Sequence, residues 1–118
     1  MKTAYNEITS FVTKDGSVIR ELMHPATHGS GTMSFAEAIV EAGGTTLLHL
    51  HWNSEEIYHV TYGAGRMRLG KNEFDIRAGD TVVITPGTRH NVTNTGAEAL
   101  KILCVCHPAY SHEDTTLL

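Results

Sequence analysis

The amino-acid sequence reads as an all-β sandwich or barrel. Short apolar runs of five to nine residues recur from about residue 17 onward, and turn-forming stretches separate them at the spacing such folds show. Those stretches are "GSG", "AGG", "GAG", "GK", "AGD", "PG" and "TGAE", composed of residues that reverse a chain. In "TTLLHLH" (45–51) the side chains alternate as on a strand. Thr45, Leu47, His49 and His51 take one face, and Thr46, Leu48 and Leu50 take the other.

In chain order, "SVIRELM" (17–23) and "TMSFAEAIV" (32–40) come first. The second is ambiguous, because Ala and Glu suit a helix on propensity alone. A helix ending at Gly43 would break the strand rhythm, so the segment is read as a strand. "TTLLHLH" (45–51) and "EEIYHVTY" (55–62) follow, joined by a short polar loop. Then come "GRMRL" (65–69) and "NEFDI" (72–76), between which Gly70-Lys71 suits a two-residue hairpin. "TVVIT" (81–85), "RHNVTN" (89–94) and "ALKILCVC" (99–106) complete the set. The first sixteen residues and the tail "PAYSHEDTTLL" read as extensions outside the main sheet. Length bounds the chain to one domain, residues 1–118, with a core barrel at about 18–106.

Composition narrows the partners. Thirteen acidic residues against nine basic ones give a formal charge of −4. With no basic cluster, neither nucleic acid nor an anionic membrane is expected as a partner. No stretch approaches the roughly 18 apolar residues of a membrane span. The opening "MKTAYNEITSFVTKDG" lacks the apolar region of a signal peptide, so the expected location is cytoplasmic. Cys104 and Cys106 in "KILCVC" share one strand face about 6.5–7 Å apart, at or beyond disulfide reach. Without a CxxC spacing they read as two small apolar side chains.

Histidine is the anomaly: eight are present, more than phenylalanine and tryptophan together. Spacing singles out His49 and His51, whose imidazoles project together and can reach one ion at about 2.0–2.2 Å. After the loop, Glu55 or Glu56 can bring a carboxylate, and His90 opens "RHNVTN" after the turn "TPGT". Three imidazoles and one carboxylate suit a divalent transition metal (Mn, Fe, Ni or Zn) and leave positions open in an octahedral site. On spacing alone, HxH in a strand is more often coincidence or a hydrogen-bonded core pair. The opposite, apolar face of the same strand needs cover from a second sheet or a second subunit, so a homodimer is expected.

Residues 43–63, "GGTTLLHLHWNSEEIYHVTYG", resemble the first motif of the cupin superfamily, with Gly43, His49, His51, Glu56 and Gly63 filling its positions. Residues 79–94, "GDTVVITPGTRHNVTN", resemble the second, with Gly79, Gly87, His90 and Asn94 in place. Thr85 stands where that motif usually has its first proline, and Pro86 follows one place later. The segment between the motifs, 64–78, has the short length of small single-domain cupins. The resemblance covers roughly residues 18–106. It implies a double-stranded β-helix, or jelly-roll, barrel of two antiparallel sheets. It also implies His49, His51, Glu56 and His90 as metal ligands, Glu56 being favoured over Glu55 by its spacing to Gly63.

Around such a centre, Tyr58 and Val60 are expected on the face of Glu56 together with Tyr62, and His59 on the other. Tyr58 is a candidate hydrogen-bond donor or acid, and Arg20 a candidate anchor for a substrate carboxylate. His24 follows the strand that bears Arg20; His28, His107 and His112 read as loop or tail residues. Asp80 and Asn94 read as turn-formers. The resemblance implies a metalloenzyme acting on a small oxygenated metabolite by oxidation, isomerisation or decarboxylation. A non-catalytic binder of a metal or metabolite is the alternative, and a storage cupin with a vestigial site is disfavoured by the complete ligand set. The glutamate argues against thiol dioxygenases, and the intact HxH against metal-free sugar epimerases. Fold and site together leave the substrate open.

Overall fold

A computed structural model describes all residues from 1 to 118. A 3₁₀ turn at Tyr5–Glu7 precedes eleven strands: β1 (Phe11–Val12), β2 (Val18–Met23), β3 (Ser34–Val40), β4 (His49–His51), β5 (Glu55–Tyr62), β6 (Ala64–Leu69), β7 (Asn72–Arg77), β8 (Thr81–Ile84), β9 (His90–Asn94), β10 (Leu100–His107) and β11 (Thr115–Leu117). They form two antiparallel sheets, in the orders β1-β2-β3-β10-β5-β8 and β11-β4-β9-β6-β7. The strand rhythm predicts the all-β class, and the two sheets form the jelly-roll barrel that the cupin resemblance implies. No helix is long and apolar enough to cross a membrane.

The ambiguous segment "SFAEAIV" is β3, paired on one side with β2 and on the other with β10. Its helical propensity amounts to a few tenths of a kcal/mol per residue, which ladder pairing and burial in mid-sheet outweigh. Along β10, Leu100, Ile102, Cys104 and Cys106 all turn inward and are buried. Size is graded along that face. Leu100 and Ile102 join Val60, Met67, Ile76 and Ile84 in a tightly packed end. At the other end Ser34, Ala36 and Ala38 of β3 and the two cysteines of β10 are small. They leave a cavity that opens to solvent.

Three features differ from the sequence reading. The ladder of β4 begins only at His49, so the alternation expected over 45–51 holds for three residues. Upstream, the Thr46 amide bonds the Val92 carbonyl and the Leu47 amide bonds the Asp15 carbonyl. Leu47 consequently lies 53% exposed instead of sharing the histidine face. Tyr62 also leaves the face of Glu56, because a register shift between Lys101 and Ile102 interrupts the β5–β10 ladder. Finally, both chain ends join the sheets: β1 pairs with β2, and the tail supplies β11 beside β4.

Candidate metal centre

His49 and His51 point into the barrel from β4, and His90 opens β9 directly opposite His49 in register. Their ligand nitrogens all lie within 4.8 Å of one another. Glu56 comes from the facing sheet. Its Oε1 stands 3.3 Å from His51 Nε2 and 3.5 Å from His90 Nε2. All four side chains are buried. Glu55, next in the chain, is exposed, as alternation requires.

The outer nitrogens decide what the inner ones can do. The Nδ1 of His49 lies 2.8 Å from the Leu47 carbonyl, and that of His90 lies 2.9 Å from the Thr88 carbonyl. A carbonyl only accepts, so both rings carry their proton on Nδ1. For His51 the partner is the Thr115 hydroxyl at 2.9 Å. That hydroxyl gives its one proton to the Ser111 carbonyl, 2.8 Å away, and so accepts from His51. In their neutral form the three imidazoles therefore present Nε2 lone pairs to one point. His90 Nε2 and Glu56 Oε1 are fully buried without a hydrogen-bond partner. Such orphaned acceptors fit a cation among them, since unpaired buried polar atoms are otherwise costly.

Electrostatics agree. Burial would raise the pKa of Glu56, but hydrogen bonding and positive charge from protonated His51 and His90 outweigh it and hold the carboxyl at about 2, a part that a bound cation would take over once the rings are neutral. Its second oxygen, Oε2, accepts from the Cys106 thiol at 3.2 Å. Burial, then the Glu56 charge, pushes both Cys104 and Cys106 upward, so the thiols stay protonated. Burial and the neighbouring His90 lower His49, which favours its neutral, metal-ligating form.

The matched family settles the lineage: residues 36–106, more than half of the chain, fit the Cupin domain family. The chain is a cupin. It is 50% identical over 118 residues to an uncharacterised protein of Methanocaldococcus jannaschii, covering all of this chain and 94% of that one. The barrel superposes with a TM-score of 0.82 on an oxalate decarboxylase of Lactobacillus farciminis, solved as a formate complex, at 25% identity. That match covers 96% of this cupin but spans only 34% of the enzyme. The Streptomyces nucleoside dehydratase Pac13 matches with a TM-score of 0.82 at 19% identity, covering all of this chain and 90% of that one.

Not every expected residue reaches the cavity of this cupin. Tyr58 does: it lines the wall, 8% exposed, with burial and then Glu56 holding its hydroxyl protonated. Arg20 does not. Strand alternation turns Ile19 and Glu21 inward and Arg20 outward, where its guanidinium lies 4.1 Å from the Tyr5 ring centroid and its Nε donates to the Ile8 carbonyl at 3.0 Å. Arg20 thus pins the N-terminal turn to the outside of the sheet, which removes it as a substrate anchor. His24 Nε2 bonds the Tyr110 carbonyl at 2.8 Å, and His59 bonds Thr81 on the outer face. Asp80 accepts from the Arg77 amide, and Asn94 accepts from the Gly96 amide, as turn-formers do.

Several residues around the centre escape the sequence reading, and most come from the chain ends. Asp15, from the loop after β1, lies beside His49. Thr115 fixes the His51 tautomer, and Asp114 accepts from the Asn53 and Ser54 amides in the loop that leads to Glu56. Burial would raise Asp114, yet those amide bonds lower it below the usual aspartate range. Replacing Thr115 by valine is expected to weaken metal affinity about 10–100-fold, the usual loss when a histidine's outer partner is removed. Competition with a chromogenic chelator measures it, and unchanged affinity would mean that the hydroxyl does not orient the ring.

Proposed function

We propose that this cupin holds a divalent transition metal on His49, His51, Glu56 and His90 and acts on a small oxygenated molecule. The observation that carries this reading is the set of three imidazoles held at Nδ1 by outer acceptors, with their Nε2 atoms turned toward one carboxylate. Nitrogen-rich donors with one carboxylate suit Mn, Fe, Ni or Zn. Bound there, the ion would supply a Lewis acid for a ligand oxygen. The protein's own residues do the rest. Glu56 stays ionised and offsets part of the cation's charge. Tyr58 offers a protonated hydroxyl on the wall, and the small inward residues of β3 and β10 give a ligand room. Oxidation, isomerisation and decarboxylation are the reaction classes this arrangement serves.

Metal analysis of protein purified without added metal tests the first half. A substrate panel of diketones, enediols and hydroxy-acids, followed by oxygen uptake and product analysis, tests the second. Turnover that disappears in Glu56→Ala supports an enzyme. Full metal occupancy with silence across the panel would make the chain a non-catalytic binder of metal and metabolite.

A homodimer completes the proposal. The β-ladder registers align Phe35, Val105, Ile57 and Val83 in a row across the outer face of four strands. Ile57 is 39% and Val83 53% exposed, and a contiguous apolar row suits a second copy of the chain. Sedimentation equilibrium at micromolar protein checks it, a monomer throughout being the contrary result. The two free buried thiols fit a cytoplasmic location, which cell fractionation would test.

A further inference from the structure

Two hydrogen-bond acceptors face each other at the side of the metal centre. Asp15 Oδ2 lies 3.8 Å from His49 Nε2, and His49 keeps its ring proton on Nδ1, turned toward Leu47. The other oxygen of Asp15 is already engaged. Ser17 donates to Oδ1 with its amide at 2.9 Å and its hydroxyl at 2.6 Å. These two bonds fix the carboxylate and leave Oδ2 aimed at the centre without a protein donor. Lone pair against lone pair is repulsive unless a cation or an O–H stands between them. One metal ion serves the histidine; the carboxylate then takes an O–H, from water while the cavity holds no ligand and from a ligand hydroxyl that displaces it.

The cavity is also of one sign. Asp15, Glu21 and Glu56 all line it, and none of its seventeen lining residues is lysine or arginine. Lys14, adjacent to Asp15 in the chain, is turned elsewhere. Its Nζ donates to the His112 and Thr115 carbonyls at 3.0 and 2.7 Å. One divalent ion against three carboxylates leaves no positive excess for an incoming anion. A ligand carboxylate would sit against Asp15 without a counter-charge, in a site where water screens it poorly.

We propose that the cavity takes a neutral, hydroxyl-bearing small molecule, a hydroxy-ketone or vicinal diol whose O–H donates to Asp15 Oδ2, and that it rejects dicarboxylates. The inference rests on the metal-centre reading above and names the ligand class of that same site. Asp15 is the residue that selects the charge. Phe11 and Ile19 complete the wall with apolar surface, suited to the carbon skeleton of such a ligand. The fold-level likeness to an oxalate decarboxylase makes the expectation a sharp one, because oxalate is the ligand that this lining opposes.

The test uses the full chain loaded with Co²⁺, whose visible spectrum and content are recorded before and after each titration. Hydroxyacetone and oxalate are titrated separately by calorimetry at constant ionic strength into wild type, Asp15→Asn and Glu21→Gln. In Asp15→Asn, oxalate should bind at least about tenfold more tightly and hydroxyacetone more weakly. The two shifts have opposite signs, which a general loosening of the barrel would not produce. Glu21→Gln should move oxalate in the same direction by less, and it keeps the test open should Asp15→Asn fail to fold. Co²⁺ uptake with oxalate affinity unchanged in both variants would overturn this inference alone. Protein that takes up no Co²⁺ would overturn the metal centre and this inference with it.

Discussion

Alanine at position 51 is expected to reduce bound metal to below about a tenth of the wild-type content while the barrel still folds. Loss of an outer partner alone typically costs 10–100-fold in affinity, and loss of a ligand atom exceeds that. Of the two histidines in contact with Glu56, His51 is the nearer, at 3.3 Å against 3.5 Å for His90. Its removal therefore takes away both a donor and the nearer of the two groups that hold the carboxylate ionised. Folding should survive, because His51 lies outside the apolar cluster formed by Val60, Met67, Ile84, Leu100 and Ile102. Elemental analysis of protein purified in parallel with wild type measures the effect. His59→Ala is the control, since that ring faces the outer side and bonds Thr81. Undiminished metal in His51→Ala would remove the assignment of the centre.

The strands were legible in local patterns, and the four convergent side chains through the two cupin motifs that those residues resemble. Period-two alternation placed His49 with His51, and Glu56 with Tyr58; turn residues marked nearly every reversal. Long-range consequences were not legible. Asp15 sits in "KDGS", which reads as a turn, and it does bond Ser17 two residues on. Nothing local says that its second oxygen would reach His49, 34 positions away. Thr115 lies in "TTLL", a β-branched pair whose strand propensity was a usable signal, but only pairing with β4 gives its hydroxyl a role. The grading of Ser34, Ala36 and Ala38 against Val40 was present in the sequence as composition, where it looked helical. Its meaning, a cavity, appears only when the strands are stacked. Arg20 failed for a different reason: alternation fixes which residues share a face, and not which face is inside.

Gly63 is expected to be the most sensitive position outside the buried side chains. It joins β5 to β6 with φ at +87°, a region where a side chain costs about 1–2 kcal/mol. Space makes the cost larger. A Cβ there would lie 2.6 Å from the Ala99 carbonyl oxygen and 3.1 Å from Leu100 Cα. Both are backbone atoms, so no side chain can swing aside, and Leu100 is wholly buried at the start of β10. Withdrawal of that backbone would drag Leu100 out of the packed end, adding the roughly 1–3 kcal/mol that overpacking brings. Gly63→Ala should therefore lose about 2–5 kcal/mol, a large share of the 5–15 kcal/mol typical of a domain. Gly79→Ala separates the two contributions, because its φ is +98° while a Cβ would meet nothing within 4 Å. Urea unfolding of both variants should show Gly79→Ala losing only the conformational part. Equal losses in the two would mean that the approach of Ala99 and Leu100 places no constraint on this turn.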